Sequence, residues 1–182
     1  MKITRTFEEE YYENGQMKSR EIYKNCNLVK HDIKEEFHDN GKLYIRRSYI
    51  KGTDILDGFE EIYRENGKLA LQAEYKNGKR ESRIKRWWDN NLPQYEMEFK
   101  NDKLDGNITL WYKNGQLEYT ETWKNGKLNG TRISYREDGT RASKATFVNN
   151  RVNGYRIEYS KDGSTILSKQ HFTKGYPTEL TH

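Results

Sequence analysis

Apolar positions in this chain come in short alternating segments rich in Tyr, Trp, Ile and Thr, separated by Asn-Gly and Asp-Gly pairs. Segments of this length are too short for helices and suit strands, so the pattern predicts hairpin after hairpin. The stretch WYKNGQLEYTETWKNGKL, residues 111 to 128, shows the unit, with Lys-Asn-Gly written twice, each time after an aromatic and before a Leu. A first turn signal ends at Gly15, Gly41, Gly67, Asn91, Gly115, Gly139 and Gly163, in steps of 26, 26, 24, 24, 24 and 24 residues. A second follows each, at Cys26, Gly52, Gly78, Asp102, Gly126, Asn150 and Gly175. Seven units with two turns each predict about 14 strands in up-and-down order, within one repeat domain spanning residues 1–182.

Two rows of aromatics accompany the turns. One precedes each first turn (Tyr11, Phe37, Tyr63, Trp87, Trp111, Tyr135 and Tyr159), and the other follows it (Tyr23, Tyr49, Tyr75, Phe99, Trp123, Phe147 and, one place late, Phe172). Side chains alternate across a strand, so a period changing by two keeps each ring on its face, whereas a change of one is expected to flip it. At Lys113–Gly115 a three-residue loop with Gly115 left-handed in a G1 bulge pairs Trp111 with Leu117 and Thr109 with Tyr119, collecting the apolar residues on one side. The same parity at Lys124–Gly126 sets Leu117 opposite Ile133 and Tyr119 opposite Thr131. Both rows are thus expected on one side of the sheet, with a bulge or a strand end at Phe172.

Residues Gly106 to Gly130, G-N-I-T-L-W-Y-K-N-G-Q-L-E-Y-T-E-T-W-K-N-G-K-L-N-G, resemble the bacterial variant of the MORN repeat. The likeness runs over about residues 7 to 175, is clearest in the third, fifth and sixth units, and departs most in the fourth, where Asn91 and Pro93 replace the turn Gly and the Leu. It implies an elongated single-layer antiparallel meander. Similar proteins are labelled antitoxins of toxin–antitoxin pairs, the YwqK family, which implies a toxin-like protein partner.

Composition narrows the functions available. Only 32% of the 182 residues are hydrophobic, 34% are charged and mean hydropathy is -1.22, which leaves little for a deep core, yet 14 Tyr, 6 Phe and 4 Trp exceed what a solvated tail carries. The lone Cys26 excludes an internal disulfide, and the start MKITRTFEEE lacks the apolar stretch of a signal peptide, so a cytoplasmic location is expected. Net charge is +5, with 12 Lys+Arg against 14 Asp+Glu up to residue 66 and 21 against 14 beyond it.

The fourth unit carries the candidate binding residues. Alternation there puts Arg83, Lys85 and Trp87 on one face and Ile84, Arg86 and Trp88 on the other, which Ile62, Ile108, Leu110 and Tyr112 extend on neighbouring strands. An apolar patch of Ile84, Arg86, Trp88, Ile108, Leu110 and Tyr112 is the expected docking surface for a protein partner. The alternative is an anion site at Lys79, Arg80, Arg83, Lys85 and Arg86, where basic side chains interleave with Trp and suit phospholipid head groups or nucleic acid. Open terminal strands offer self-association by edge pairing. Acid runs at Glu8–Glu10, Glu35–Glu36 and Glu60–Glu61 stack like charges and demand basic cross-strand partners, a cationic ligand or solvent. His31, His38, His171 and His182 lack metal-ligand spacing, no phosphate loop is present, and no catalytic residue is expected. Neither a metal nor a cofactor is implied.

Overall fold

The computed structural model describes residues 4–25 and 31–178, and the side chains of residues 8–22 and 31–178; Cys26, His182 and the Tyr23 ring lie outside them. The fold is all-β, an open antiparallel meander without helix among the described residues. It divides at Asn91/Leu92 into two compact units. The first holds β1 (Thr4–Tyr11), β2 (Met17–Asn25), β3 (His31–Phe37), β4 (Leu43–Ile50), β5 (Leu56–Tyr63), β6 (Leu69–Lys76), β7 (Lys79–Arg80) and β8 (Ser82–Trp87). The second holds β9 (Pro93–Lys100), β10 (Lys103–Trp111), β11 (Leu117–Lys124), β12 (Lys127–Leu128), β13 (Gly130–Tyr135), β14 (Arg141–Val148), β15 (Arg151–Tyr159), β16 (Ile166–Thr173) and β17 (Tyr176–Pro177). Within each unit successive strands pair antiparallel. Among the described residues seventeen segments replace the expected 14 for a local reason. β7/β8 and β12/β13 are each one strand interrupted near a positive φ, at Ser82 (63°) and Gly130 (125°), and β17 is a two-residue stub.

The two turns of a repeat differ in kind. At the first, Gly115 N–H reaches Tyr112 O at 2.9 Å and Tyr112 N–H reaches Gln116 O at 2.8 Å, the expected three-residue loop with a left-handed glycine at φ 88°. Trp111 pairs with Leu117 as expected. The second turn is a two-residue type I′ turn instead: Asn125 and Gly126 both take positive φ (49° and 75°), and Lys124 pairs with Lys127. Asn supports both: at the first turn Asn114 Oδ1 accepts the Gln116 N–H at 2.9 Å, and at the second Asn tolerates the left-handed backbone.

A second irregularity overturns the expected side of the aromatics. The register shifts by one between Leu110 and Trp111, so Tyr119 lies opposite Leu110 rather than Thr109; on the other side of β11 the two-residue turn and the break before Gly130 set Thr120 rather than Leu117 opposite Ile133. The same shift recurs at Glu10/Tyr11, Glu36/Phe37, Ile62/Tyr63, Ser134/Tyr135 and Glu158/Tyr159. The bulge beside these six first turns reverses the alternation and sends the two aromatic rows to opposite faces. The Tyr63 hydroxyl donates to Glu61 at 2.9 Å and that of Tyr75 to Glu60 at 3.3 Å, and these consecutive glutamates on β5 point to opposite sides.

The parity rule also yields at the turns. In the seventh repeat the first turn is one residue longer, closed by Ser160 N–H to Thr165 O at 2.8 Å, and Phe172 pairs with Gly154 as Phe147 pairs with Gly130. The extra residue is absorbed in the loop, with neither a new bulge nor a strand end at Phe172. The 26-residue spacing of the second repeat arises likewise from a four-residue turn, Lys51–Asp54, closed by Ile50 N–H to Ile55 O at 2.9 Å.

Burial is thin. The buried hydrophobic residues among those described are Ile45 and Ala73 in the first unit and Ile108, Leu128 and Ala145 in the second. Asp32, Glu35 and Glu121 are as buried as they are. A single sheet has no second layer to cover its faces, so charged side chains and rings must cover one another.

Candidate functional site

In the first unit the strand register lines up Glu9, Arg20, Glu35, Arg46, Glu61, Gln72 and Lys85 from strand to strand. Signs alternate along the first five, which resolves the stacked acids in favour of basic cross-strand partners. At its centre Glu35 is 3% exposed; it accepts from Arg46 Nε at 2.7 Å and Arg20 Nε at 3.1 Å, with a further close contact from Arg20 Nη2. Burial opposes the Glu35 charge, but the hydrogen bonds from Arg20 and Arg46 outweigh it and hold the carboxyl below its ordinary range. Arg46 continues to Glu61 at 3.9 Å. The first aromatic row flanks this ladder: Tyr11 donates to Glu9 at 2.6 Å, Tyr63 donates to Glu61, and the Arg20 guanidinium lies 5.8 Å from the centre of the Phe37 ring.

The opposite face of the first unit carries a second network. Lys34 bridges Glu21 and Asp54 at 3.0 Å each, and Arg47 bridges Glu60 at 2.8 Å and Glu36 at 3.3 Å. The Lys34 ammonium sits 5.3 Å from the Tyr49 ring centre, and its hydrogen bonds to Asp54 and Glu21 raise its pKa. In the second unit the buried Glu121 accepts from Arg132 Nε at 2.6 Å and from Trp123 Nε1 at 2.7 Å. The Arg132 guanidinium lies 5.5 Å from the Tyr119 ring centre and 5.6 Å from that of Phe147.

In five repeats the residue after the first-row aromatic reaches the next repeat. Tyr12 donates to Phe37 O at 3.0 Å, His38 to Tyr63 O at 2.9 Å, Arg64 to Trp87 O, Tyr112 to Tyr135 O at 2.9 Å and Arg136 to Tyr159 O at 2.7 Å. Three residue types do one job, because any N–H or O–H donor of sufficient reach satisfies a carbonyl.

The residues expected to dock a partner differ in exposure and fall in both units. Ile108 is 4% exposed and belongs to the core, so it offers no docking area. Leu110 is half-buried between its cross-strand partners Tyr95 and Tyr119, and Tyr112 is half-buried and engaged with Tyr135. Arg86 pairs with Leu71, which pairs with Ile62, so Arg86 and Ile84 share the face of Ile62 as expected; that same face also carries Tyr75 and the buried Ala73. Trp88 is half-buried just past β8, and its carbonyl accepts the Asn91 N–H at 3.0 Å. Of the basic set, Lys79 pairs with Lys76, Arg80 with Tyr75 and Lys85 with Gln72. Alternation along β8 sends Arg83 and Lys85 to the face opposite Arg86. The described histidines serve structure: His31 meets Asp57 at 2.6 Å, His38 has its carbonyl and His171 meets Thr178 Oγ1 at 2.9 Å.

The ladder escaped the sequence reading although its signal was there. Arg20, Arg46 and Arg47 sit on the strands following the acid runs, but placing Arg46 against Glu35 rather than Lys34 requires knowing the bulge beside Phe37.

Two turns of different kind per repeat, aromatics on both faces and donors linking consecutive repeats together describe a repeat sheet. Four segments of the chain match the family model of the MORN repeat variant. The matches cover residues 8–25, 33–51, 56–77 and 104–125, which are the first, second, third and fifth of these MORN-like repeats. No curated protein matches the chain significantly. The antiparallel meander, with a Gly in each first turn but the fourth, is consistent with MORN repeats.

Proposed function

We propose that this protein is a non-enzymatic scaffold of MORN-like repeats that holds a protein partner against its sheet, as an antitoxin or immunity protein holds its target. The observation supporting this is the ladder face of the first unit. There Tyr11 (54% exposed), Phe37 and Tyr63 stand beside Arg20 and Arg46, whose side chains are fixed by Glu35. Aromatic and Arg side chains already held in one conformation give up little entropy on binding and are the usual anchors of protein interfaces. Because the ladder carboxylates are internally neutralised, recognition rests on ring faces and guanidinium planes.

The test compares the parent with Tyr11→Ala/Tyr63→Ala in quantitative pull-downs from the native host, after melts establish that both are folded. A partner enriched by the parent, lost by the variant and reconstituted from purified components supports the proposal. Retention of every specific partner by the folded variant overturns it.

A further inference from the structure

The hairpin tips formed by the second turns of the second unit differ in charge from the rest of the molecule. Residues 100–105, 124–129, 148–153 and 173–177 carry six cations (Lys100, Lys103, Lys124, Lys127, Arg151 and Lys174) and two acids (Asp102 and Asp105). The acids lie at one end: Asp105 caps the next tip by accepting the Asn125 N–H at 3.0 Å and meets Lys124 at 3.6 Å. At the other end a cleft of about 410 Å³ opens among Lys127, Val148, Asn149, Arg151, Asn153 and Lys174. No carboxylate lines it. The three cations are exposed, and among the described residues none of them forms an ion pair.

A comparison internal to the repeats shows how the cleft loses its acids. The residue before the leading glycine caps the second turn of its own repeat. In the third and fifth repeats it is an aspartate: Asp57 accepts the Asn77 N–H at 2.9 Å, and Asp105 accepts that of Asn125. In the sixth and seventh it is an asparagine doing the same work: Asn129 accepts the Asn149 N–H at 3.1 Å, and Asn153 accepts the Lys174 N–H at 3.1 Å. Asn supplies the same acceptor without the charge and adds amide N–H donors. The exchange keeps the cap, and at Asn153, which lines the cleft, it leaves a neutral amide where an aspartate would put a carboxylate beside the cations. Consecutive tips are in contact, since a Cβ on Gly175 would stand 3.6 Å from Arg151 Cβ, so the cations converge from neighbouring hairpins.

We propose that this cleft binds a multiply charged oxyanion of the phosphate-ester type, with Arg151 as the planar two-pronged donor, Lys127 and Lys174 as point charges, and the Asn149 and Asn153 amides as neutral donors. The site lies on turns of the second unit and is independent of the partner face of the first.

The test is calorimetric titration of the whole chain with inorganic pyrophosphate at low salt, and sedimentation with vesicles of phosphatidylcholine with or without phosphatidic acid. Pyrophosphate binding assigns a soluble ligand; binding to phosphatidic acid vesicles alone assigns a surface-borne head group. In either arm Arg151→Glu/Lys174→Glu is expected to weaken binding at least about tenfold, and Lys161→Glu, the same kind of reversal on a first turn, less than about twofold. Asn153→Asp keeps the cap, as Asp105 shows, so it is expected to melt like the parent and still weaken binding. Equal binding by parent, double reversal and Asn153→Asp, or no binding in either arm, overturns the proposal.

Discussion

The Tyr112 hydroxyl donates a 2.9 Å hydrogen bond to the backbone carbonyl of Tyr135, one repeat further along the chain. This carbonyl stands at the bulge beside a first turn, where the ladder is interrupted. Removing the donor alone, in Tyr112→Phe, is expected to cost about 0.5–1.5 kcal/mol, read as a lowered urea midpoint with unchanged slope. An unchanged midpoint would show the contact to be incidental.

Glu35 is the buried carboxylate at the centre of the first unit's charge ladder. Its carboxyl is held below the ordinary range, so the stability it contributes is complete above the unfolded carboxylate pKa and is lost as pH falls through the lower, folded one. Glu35→Gln is expected to cost about 1–3 kcal/mol at neutral pH by leaving Arg20 and Arg46 uncompensated, both being partly exposed. Stability measured from pH 7 to pH 3 should therefore fall less steeply in the variant. A parallel pair of pH profiles contradicts this assignment.

Two glycines with positive φ separate backbone strain from lack of space. At Gly15 (φ 80°) an added Cβ meets nothing within 4 Å, whereas at Gly106 (φ 130°) it would stand 2.1 Å from Glu98 Oε2 and 2.8 Å from Glu98 Cβ. Gly15→Ala is expected to cost about 1 kcal/mol, from the left-handed backbone alone. Gly106→Ala should cost about 2–4 kcal/mol, because Glu98 must also move and give up the Asn107 N–H it accepts at 2.8 Å. Equal losses in denaturant titrations would remove the steric part of this account.

The seventh repeat shows that a first turn takes an extra residue without disturbing the strands. Inserting Ser after Gly115 is therefore expected to cost less than about 1 kcal/mol. The same Ser inserted between Thr120 and Glu121 reverses the alternation over the rest of β11 and turns the Glu121 carboxylate away from Arg132; it should abolish cooperative unfolding of the second unit. Similar melts for the two insertions would mean that register is held by something other than this alternation.

Much of the architecture was legible in the sequence because turn chemistry is local. A glycine at φ 88° after Asn114 is a property of three or four adjacent residues, so the positions of the turns, the strands between them and the Trp111–Leu117 pair could be placed without the fold, although the second turn holds two residues rather than three. The bulge beside six of the first turns was not legible. It involves residues of ordinary strand type, such as Leu110 and Trp111, and arises from how two strands and their turn accommodate one another. The candidate site suffered most from this, since one unseen residue of shift exchanges faces: Tyr63 and Tyr75 part company, and the acid runs meet Arg20 and Arg46.

By itself, then, the order of residues determined an all-β chain of hairpins, its period and its aromatic ladder, since glycine, asparagine and alternating polarity act over a few residues at a time. Only the tertiary structure decided which face each ring occupies, that Ile108 is covered while Tyr11 is bare, and that Lys127, Arg151 and Lys174 converge. Those outcomes depend on contacts between strands some two dozen residues apart, and a one-residue bulge, invisible in composition, sets which side chains such contacts bring together.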